Sequence, residues 1–224
     1  MQKKMPLKTD AVVFDMDGIL FDSERMVVEC WKEIADRHGM QNVDKVCRSC
    51  TGLNEAAGRA KFLEYYGETL PYAEYRKEMS ALFHERYDGG RLPLKKGVHE
   101  LMKFLKQGSV RIALASSTRR SVVFQELTDA GLIQYFDAVI CGDMIEKSKP
   151  APDIFLEACR QLQAVPASAY GIEDSYNGIR ALHAAGMHPI MVPDLLEPDM
   201  EMRQLAEVIL PSLNEVISYI DCSD

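Results

Sequence analysis

The sequence predicts an α/β fold in which a doubly wound parallel sheet carries a helical domain inserted after its first strand. Short apolar runs alternate with helical patterns, and one interval between two runs is too long for a simple crossover. The runs are AVVF (11–14), VRIALA (110–115), AVIC (138–141), AYGI (169–172), HPIMV (188–192) and EVIL (207–210). Runs of this length that are apolar throughout suit strands buried on both faces. Their alternation with helices favours parallel pairing.

Helical patterns follow the later strands. They cover residues 98–107, 120–130, 153–163 and 177–185. Gly131 and Gly186 stand just past two of them, where a left-handed C-terminal cap favours glycine. The final segment, PSLNEVISYIDCSD, is typical of a last amphipathic helix that covers the sheet.

The interval between the first and second strands shows helical patterns near 23–38, 54–66 and 72–87 and no convincing strand. A crossover between parallel strands needs only about a dozen residues or a little more. We therefore expect a helical cap domain over residues 22–92 and an α/β core domain over 1–21 and 93–224. The insertion follows the carboxyl end of the first strand, the edge at which open α/β sheets bind ligands. A domain there is placed to act as a lid.

Composition narrows the possible partners. The chain has 224 residues and a net charge of −8, which argues against nucleic acid or an anionic membrane as a partner. No stretch approaches the roughly 18 apolar residues of a membrane span. The six cysteines are scattered, so a reducing cytoplasm is the simplest location. Cys47 and Cys50 form a C-x-x-C that lacks a second pair, and packed or solvated thiols are its simpler interpretation. We expect a monomer that acts on a small molecule.

The segment VVFDMDGILFDSE places Asp15 and Asp17 at the end of the first strand. Residues two apart can point to the same side of a strand, and Gly18 then allows a sharp turn. Two carboxylates so close repel each other unless a divalent cation lies beside them. Magnesium held by carboxylates normally also contacts a phosphate. The simpler alternative is a turn or a helix cap, which any single aspartate could provide.

Three further features follow other strands. Ser116 and Ser117 end the second apolar run and precede a helix, where hydroxyls and N–H groups can bind phosphate. Lys149 is held extended by the proline after it and could neutralise a phosphoryl oxygen. Glu173 and Asp174 follow the fourth run. Helix capping and a solvated lysine would explain each feature singly. The common location of all four at one sheet edge indicates a single site.

These motifs carry a family resemblance. FDMDGILFDSE, LASST, KSKPAPDIF and GIEDSYNGIRALHAAGM, in this order and spacing, resemble the haloacid dehalogenase superfamily. The helical insertion resembles the cap of its phosphatase and beta-phosphoglucomutase-like branch, subfamily IA. The resemblance spans residues 10–193, which is most of the chain.

The resemblance implies a role for each motif residue. Asp15 would be the nucleophile that attacks phosphorus and forms an aspartyl-phosphate. Asp17 would be the general acid that protonates the leaving alkoxide and then the base that activates water. Ser116 and the N–H of Ser117 would bind phosphoryl oxygens, and Lys149 would offset the charge of phosphate and nucleophile.

The resemblance also implies a Mg²⁺ cofactor. The ion would be held by Asp15, the backbone carbonyl of Asp17 and Asp174. Glu173 would be either a further ligand or an anchor behind the ligands. Such a site agrees with the chemistry, because an anion that attacks a phosphate dianion needs cations.

Three activities share this fold, and three positions distinguish them here. Dehalogenases do not need Asp17 as an acid, because halide leaves unprotonated, so its presence favours phosphoryl transfer. A hexose-phosphate mutase resembling beta-phosphoglucomutase would carry an arginine where Glu55 stands and a histidine where Val27 stands. Both departures weigh against the mutase, although a nearby arginine could substitute. The candidate substitutes are Arg25, Arg48 and Arg59.

We therefore expect a magnesium-dependent phosphatase that acts on a small phosphorylated metabolite, with a sugar phosphate as the first choice. The hexose-phosphate mutase is the alternative, and a non-catalytic protein that binds phosphorylated ligands is a third hypothesis. The cap loop TGLNEAAG is the expected specificity surface. Its candidate residues are Thr51, Gly52, Asn54 and Glu55.

Overall fold

The sheet of the predicted core is present with all six expected strands. The structure, a computed structural model, describes residues 9–51, 53 and 55–221. The strands are β1 (Ala11–Phe14), β2 (Arg111–Ser116), β3 (Ala138–Cys141), β4 (Ala169–Glu173), β5 (His188–Met191) and β6 (Val208–Ile209). They form one parallel sheet in the order β3-β2-β1-β4-β5-β6. The α/β class is confirmed, and β1 lies between strands that come much later in the chain.

Helices cover both faces of this sheet and also fill the interval after β1. They are α1 (Ser23–His38), α2 (Val43–Cys50), α3 (Glu55–Tyr66), α4 (Tyr72–Tyr87), α5 (Val98–Gln107), α6 (Arg120–Asp129), α7 (Asp153–Leu162), α8 (Tyr176–Ala184), α9 (Met200–Leu205) and α10 (Leu213–Asp221). The sequence patterns predict eight of these and miss the two short helices α2 and α9. Gly131 and Gly186 have φ angles of +65° and +71°, as expected after helices α6 and α8.

Two apolar clusters explain why the sheet is doubly wound. Val12 and Phe14 of β1 pack on one face with α5, α6 and α10. Ala11 and Val13 pack on the other face with α7, α8 and α9. Because alternate residues of a strand point to opposite faces, a strand covered on both faces must be apolar throughout. All four residues of β1 are fully buried.

The strand register brings the predicted site residues to one edge. Phe14, the last residue of β1, pairs with Leu114 of β2 and with Ile172 of β4. Ser116 and Glu173 are the last residues of their strands and extend past this level. The carboxyl ends of three adjacent parallel strands therefore meet where Asp15 begins.

Helices α1–α4 surround an apolar cluster of their own. Its centre is Trp31, which is 4% exposed and whose ring centroid lies 4.5 Å from that of Phe62 and 6.0 Å from that of Tyr72. Cys47 is buried in the same cluster, and burial raises the pKa of its thiol to about 12. The C-x-x-C pair therefore lies along helix α2 as packed, weakly acidic thiols.

Two antiparallel segments join these helices to the sheet. The N–H of Asp22 donates to the carbonyl of Pro93 at 2.8 Å, and the N–H of Lys95 donates to that of Leu20 at 2.9 Å. The chain thus leaves for and returns from α1–α4 side by side. The boundaries at residues 22 and 92, like the division into cap and core, stay predictions.

The described part of the chain contains no helix with the length and apolar character that a membrane span requires. The cytoplasmic location and the monomeric state stay predictions.

Candidate active site

Asp15 lies directly after β1 and is almost enclosed. It is 7% exposed, and its N–H donates to the carbonyl of Ile172 at 3.0 Å, which continues the pairing with β4. Its Oδ1 accepts a hydrogen bond from Lys149 Nζ at 2.5 Å. Burial raises the pKa of Asp15 to about 8, and the Lys149 charge opposes that rise. The predicted nucleophile is therefore a carboxyl group that requires nearby cations to remain ionised.

Lys149 is the cation that the structure provides. Its Nζ lies 2.5 Å from Asp15 Oδ1, 2.7 Å from Glu173 Oε1 and 3.1 Å from the carbonyl oxygen of Ala115. Burial lowers the pKa of Lys149, but the two carboxylates raise it by more, so the ammonium stays charged. Three acceptors match its three N–H bonds. The alternative of a solvated surface lysine is wrong, since the side chain is 6% exposed.

Glu173 is held at both oxygens. Its Oε1 accepts from Lys149, and its Oε2 accepts from the N–H groups of Asp174 and Ser175, each at 2.9 Å, and from Ser175 Oγ at 3.0 Å. A Cβ at Gly178, on helix α8, would overlap the Glu173 carboxyl group. Glycine at 178 therefore makes room for this residue. The saturated carboxylate fits an anchor for Lys149 and for the loop after β4 better than a direct metal ligand.

Three buried carboxylates converge at this edge. One oxygen from each of Asp15, Glu173 and Asp174 lies within 4.8 Å of the other two. Asp174 is 4% exposed, and burial followed by the Glu173 charge raises its pKa well above the usual value. The backbone of Gly18, at φ +80°, passes so close to Asp174 that a Cβ would overlap the carboxylate. With Lys149 as the ammonium among them, these carboxylates form a hard oxygen site that fits a divalent cation.

Asp17 has different neighbours from Asp15, although only one residue separates them. Its Oδ1 accepts from Ser23 Oγ at 2.6 Å, and its Oδ2 accepts from Thr118 Oγ1 at 3.0 Å. Ser23 is the first residue of α1, and Thr118 lies in the loop after β2. Two hydroxyl donors from opposite sides thus orient the predicted acid. Asp15 faces an ammonium, whereas Asp17 faces neutral hydroxyls.

Ser116 and Ser117 follow the same edge. Ser116 is fully buried, and its Oγ accepts from the N–H of Thr118 at 3.0 Å. This bond folds the loop after β2 so that Thr118 also reaches Asp17. Ser117 is exposed beyond it. The structure therefore brings the two serines, both aspartates and Lys149 together.

Comparison with known proteins agrees with this arrangement. The sequence profile of the haloacid dehalogenase-like hydrolases matches residues 12–192, which include every motif of the sheet edge. The chain belongs to the haloacid dehalogenase-like hydrolase family. The family resemblance inferred from the sequence is confirmed.

Individual relatives cover nearly the whole chain. A phosphorylated carbohydrates phosphatase of Thermotoga maritima is 31% identical over 215 residues, which is 94% of this chain and 98% of that protein. The beta-phosphoglucomutase of Bacillus subtilis is 29% identical and covers 92% and 94% of the two chains. The crystal structure of CbbY from Rhodobacter sphaeroides in complex with phosphate has a TM-score of 0.75, with 26% identity and 95% and 99% coverage. Relatives named phosphatases confirm that the chain is a phosphoric monoester hydrolase.

The predicted specificity residues of this hydrolase lie between the end of α2 and the start of α3. Thr51 follows α2, and Glu55 is the exposed first residue of α3. Gly52 and Asn54 lie outside the described residues. The place of this loop in substrate selection stays a prediction.

Four residues of the site escape prediction from sequence. Ser23 and Thr118 hold Asp17, Ser175 holds Glu173, and Gly178 makes room for Glu173. A hydroxyl residue next to a strand or helix end is common, and helix capping explains it equally well. Ser175 does both, since its Oγ also accepts from the N–H of Gly178 at 3.1 Å at the start of α8. Only the fold shows which hydroxyls reach the carboxylates.

Proposed function

We propose that this hydrolase is a magnesium-dependent phosphatase that removes phosphate from a small phosphorylated metabolite, a sugar phosphate in the first instance. The reaction runs through an aspartyl-phosphate. The observation that carries the proposal is the contrast between the two aspartates. Lys149 bridges Asp15 and Glu173 at 2.5 and 2.7 Å, while Asp17 is held by two hydroxyl groups. The charge of Lys149 favours the ionised form of Asp15, whereas the partners of Asp17 are neutral hydroxyl groups.

Asp15 is the nucleophile in this proposal. Its ionised oxygen attacks phosphorus, the bond from phosphorus to the leaving oxygen breaks, and the phosphoryl group is transferred to the carboxylate. Lys149 reduces the repulsion between the attacking carboxylate and the phosphate dianion, and the hydroxyl of Ser116 and the N–H of Ser117 bind phosphoryl oxygens. Positioning and charge neutralisation supply most of the catalysis in such transfers.

Asp17 moves the protons. In its protonated form it donates to the leaving alkoxide, and the resulting carboxylate then accepts a proton from the water that attacks the aspartyl-phosphate. The Ser23 and Thr118 hydroxyls keep the Asp17 carboxyl group in one orientation for both steps. Since a hydroxyl can rotate, it can remain paired with Asp17 in either protonation state.

Asp15, Asp174 and the backbone carbonyl of Asp17 would hold the magnesium ion. A divalent cation supplies positive charge that both the buried carboxylates and the phosphoryl oxygens need. Glu173 anchors the site from behind, because its oxygens already accept four hydrogen bonds.

The cap favours the phosphatase over the mutase. A mutase that rebinds a bisphosphate needs a free cation opposite the catalytic edge, and two of the three candidate arginines already have partners. Arg25 pairs with Asp194 at 3.4 Å and with Asp22 at 3.6 Å, and Arg48 donates to the carbonyl of Leu195 at 3.3 Å. Arg59 is exposed on α3. The likeness to a beta-phosphoglucomutase keeps that activity as the second candidate.

Product analysis separates the candidates. Purified protein is incubated with magnesium and a panel of sugar phosphates, with and without a sugar bisphosphate activator, and both inorganic phosphate and isomerised sugar phosphate are measured. The phosphatase releases phosphate without the activator. Isomerised product that depends on the bisphosphate would establish the mutase. Binding of the sugar phosphates without either product would establish the non-catalytic hypothesis.

A further inference from the structure

The first turn of α1 is the part of the helical insertion that enters the site. Ser23 donates to Asp17 at 2.6 Å, and Arg25 pairs with Asp194, in the loop after β5, at 3.4 Å. Glu24 lies between these two residues, so its backbone is fixed on both sides at the boundary between cap and core. The proposed mechanism gives Glu24 no task.

The surroundings of Glu24 are rich in acceptors. The negative charges of Asp17, Asp194 and Glu173 all raise the pKa of Glu24. The hydroxyl of Thr51, in the loop after α2, is its hydrogen-bond partner. Burial, with the Asp17 charge next, raises the pKa of Glu24 to about 7. Among the described residues no lysine or arginine forms an ion pair with it. A carboxyl group in such a place is stabilised by a ligand that donates hydrogen bonds.

Two oxygen atoms near Glu24, Thr51 Oγ1 and Asp194 Oδ2, also receive no hydrogen bond from the described residues. The Oγ1 of Thr51 is buried and finds no other partner in the part of the chain that the structure describes. Asp194 has a side chain that is 1% exposed, and while its Oδ1 accepts from Lys95 at 2.6 Å, its Oδ2 is equally unpartnered among those residues. Asp194 pairs with Arg25 in the first turn of α1 and with Lys95 in the segment that returns to the sheet, so it lies at the junction of the two parts of the chain.

From these observations we propose that Glu24 is a specificity-determining residue whose carboxyl group accepts a hydrogen bond from a hydroxyl of the leaving group. The inference rests on the proposed function and narrows its substrates to monophosphates of polyols such as sugars. The same acidic surroundings disfavour a leaving group that carries a second phosphate. A second phosphate beside these carboxylates would be repelled by their negative charge, which weakens the binding of bisphosphates.

The test compares a hexose monophosphate with para-nitrophenyl phosphate, whose leaving group has no hydroxyl to donate before the bond breaks. In Glu24→Ala we expect kcat/KM for the hexose monophosphate to fall about 10- to 100-fold, mainly through KM, since the lost bond involves a charged group. Turnover of para-nitrophenyl phosphate should change less than about threefold, because the phosphoryl-transfer groups are untouched. Glu29→Ala, on the exposed side of the same helix, is the matched control and should leave both values unchanged.

A second variant keeps the side-chain volume and protects the test against misfolding. Glu24→Gln removes the charge and keeps one acceptor oxygen, and we expect the ratio of kcat/KM for a hexose bisphosphate to that for the monophosphate to rise about tenfold. Equal losses on both monoesters in Glu24→Ala would overturn the inference, as would no loss on the hexose phosphate. Wild-type protein that hydrolyses para-nitrophenyl phosphate but no polyol phosphate would overturn it and leave the phosphatase standing. Wild-type protein inactive on every monoester would overturn the phosphatase itself.

Discussion

The catalytic edge of the sheet and the face of the cap opposite it are built in opposite ways. At the edge, charges are buried and tightly paired: Lys149 donates to three acceptors and Glu173 accepts four hydrogen bonds. On the cap side, Glu24 and Thr51 face the site with few donors, and Glu55 is exposed. The first arrangement is preorganised for one reaction, whereas the second leaves polar groups for a substrate to pair with. We therefore propose that the sheet edge carries out the chemistry and that the facing part of α1–α4 selects the substrate.

Removing the nucleophile should give the largest effect. Asp15→Asn keeps the shape of the side chain but cannot form the aspartyl-phosphate, so we expect phosphate release to fall by at least about 1,000-fold. The matched control is Asp10→Asn, at the exposed opposite end of β1, which should retain full activity. A steady-state assay with para-nitrophenyl phosphate and magnesium measures both. Activity that survives in Asp15→Asn would refute the assignment of the edge as the catalytic centre.

Removing the central cation should be the most damaging change for stability. Lys149→Ala leaves Asp15 and Glu173 buried without their partner, and breaking a buried pair in this way costs about 3–5 kcal/mol in free energy of unfolding. Urea denaturation of the metal-free protein measures the loss. The exposed Lys147→Ala is the control and should change stability by less than about 0.5 kcal/mol. Similar values for both variants would show that Lys149 is not part of a tight buried network.

The pH dependence of stability tests the metal site. The fold raises the pKa of Asp15 from 3.8 to about 8, so the folded protein holds this proton more tightly than the unfolded chain does. The stability that this proton contributes is complete below about pH 4 and is lost as the pH rises through about 8. Metal-free protein should therefore lose stability over that range. Magnesium, which binds the ionised carboxylates, should raise the melting temperature more at pH 8 than at pH 5. An equal magnesium effect at the two pH values would contradict the site, and Asp174→Asn should abolish it.

Removing one hydrogen bond to Asp17, the proposed acid, should reduce kcat by a smaller factor. Ser23→Ala removes one of the two hydroxyls that hold Asp17, and a bond of this kind is worth about 1 kcal/mol, so kcat for a sugar phosphate should fall about fivefold. The loss should be smaller for para-nitrophenyl phosphate, whose leaving group needs no protonation. Ser49→Ala, whose hydroxyl donates to a backbone carbonyl at 2.7 Å within the cap, is the control and should leave both kcat values unchanged. Equal losses on the two substrates would assign Ser23 a purely structural role.

The smallest effect is expected for Arg25, in the first turn of α1. Arg25→Ala removes the ion pairs with Asp194 and Asp22, in which the arginine side chain is 54% exposed, while Lys95 still binds Asp194 at 2.6 Å. Exposed pairs contribute about 1 kcal/mol or less, so the free energy of unfolding should change by no more than that. A larger loss in urea denaturation would show that the cap side is as tightly built as the edge.

The sequence predicts the catalytic edge much better than the cap face. Apolar strand runs reveal the sheet, and the rule that parallel strands end at one edge is sufficient to bring Asp15, Ser116 and Asp174 together. The contact of Ser23 with Asp17 depends on the path of the chain between β1 and α1, which no local pattern encodes. Helix α2 is only eight residues long, so although its buried residues Val43, Val46 and Cys47 have helical spacing, the pattern is too short to be distinctive.

The most direct test of the account is whether Asp15 carries the phosphoryl group. In Asp17→Asn, transfer from para-nitrophenyl phosphate should still proceed, because nitrophenolate leaves without a proton, while hydrolysis of the phosphoenzyme should stall for lack of a base. Rapid acid quench followed by mass spectrometry should then find one phosphoryl group per chain, on the peptide that contains Asp15. A phosphoryl group on another residue, or nitrophenol release by the wild type with no phosphoenzyme trapped in the variant, would contradict the account.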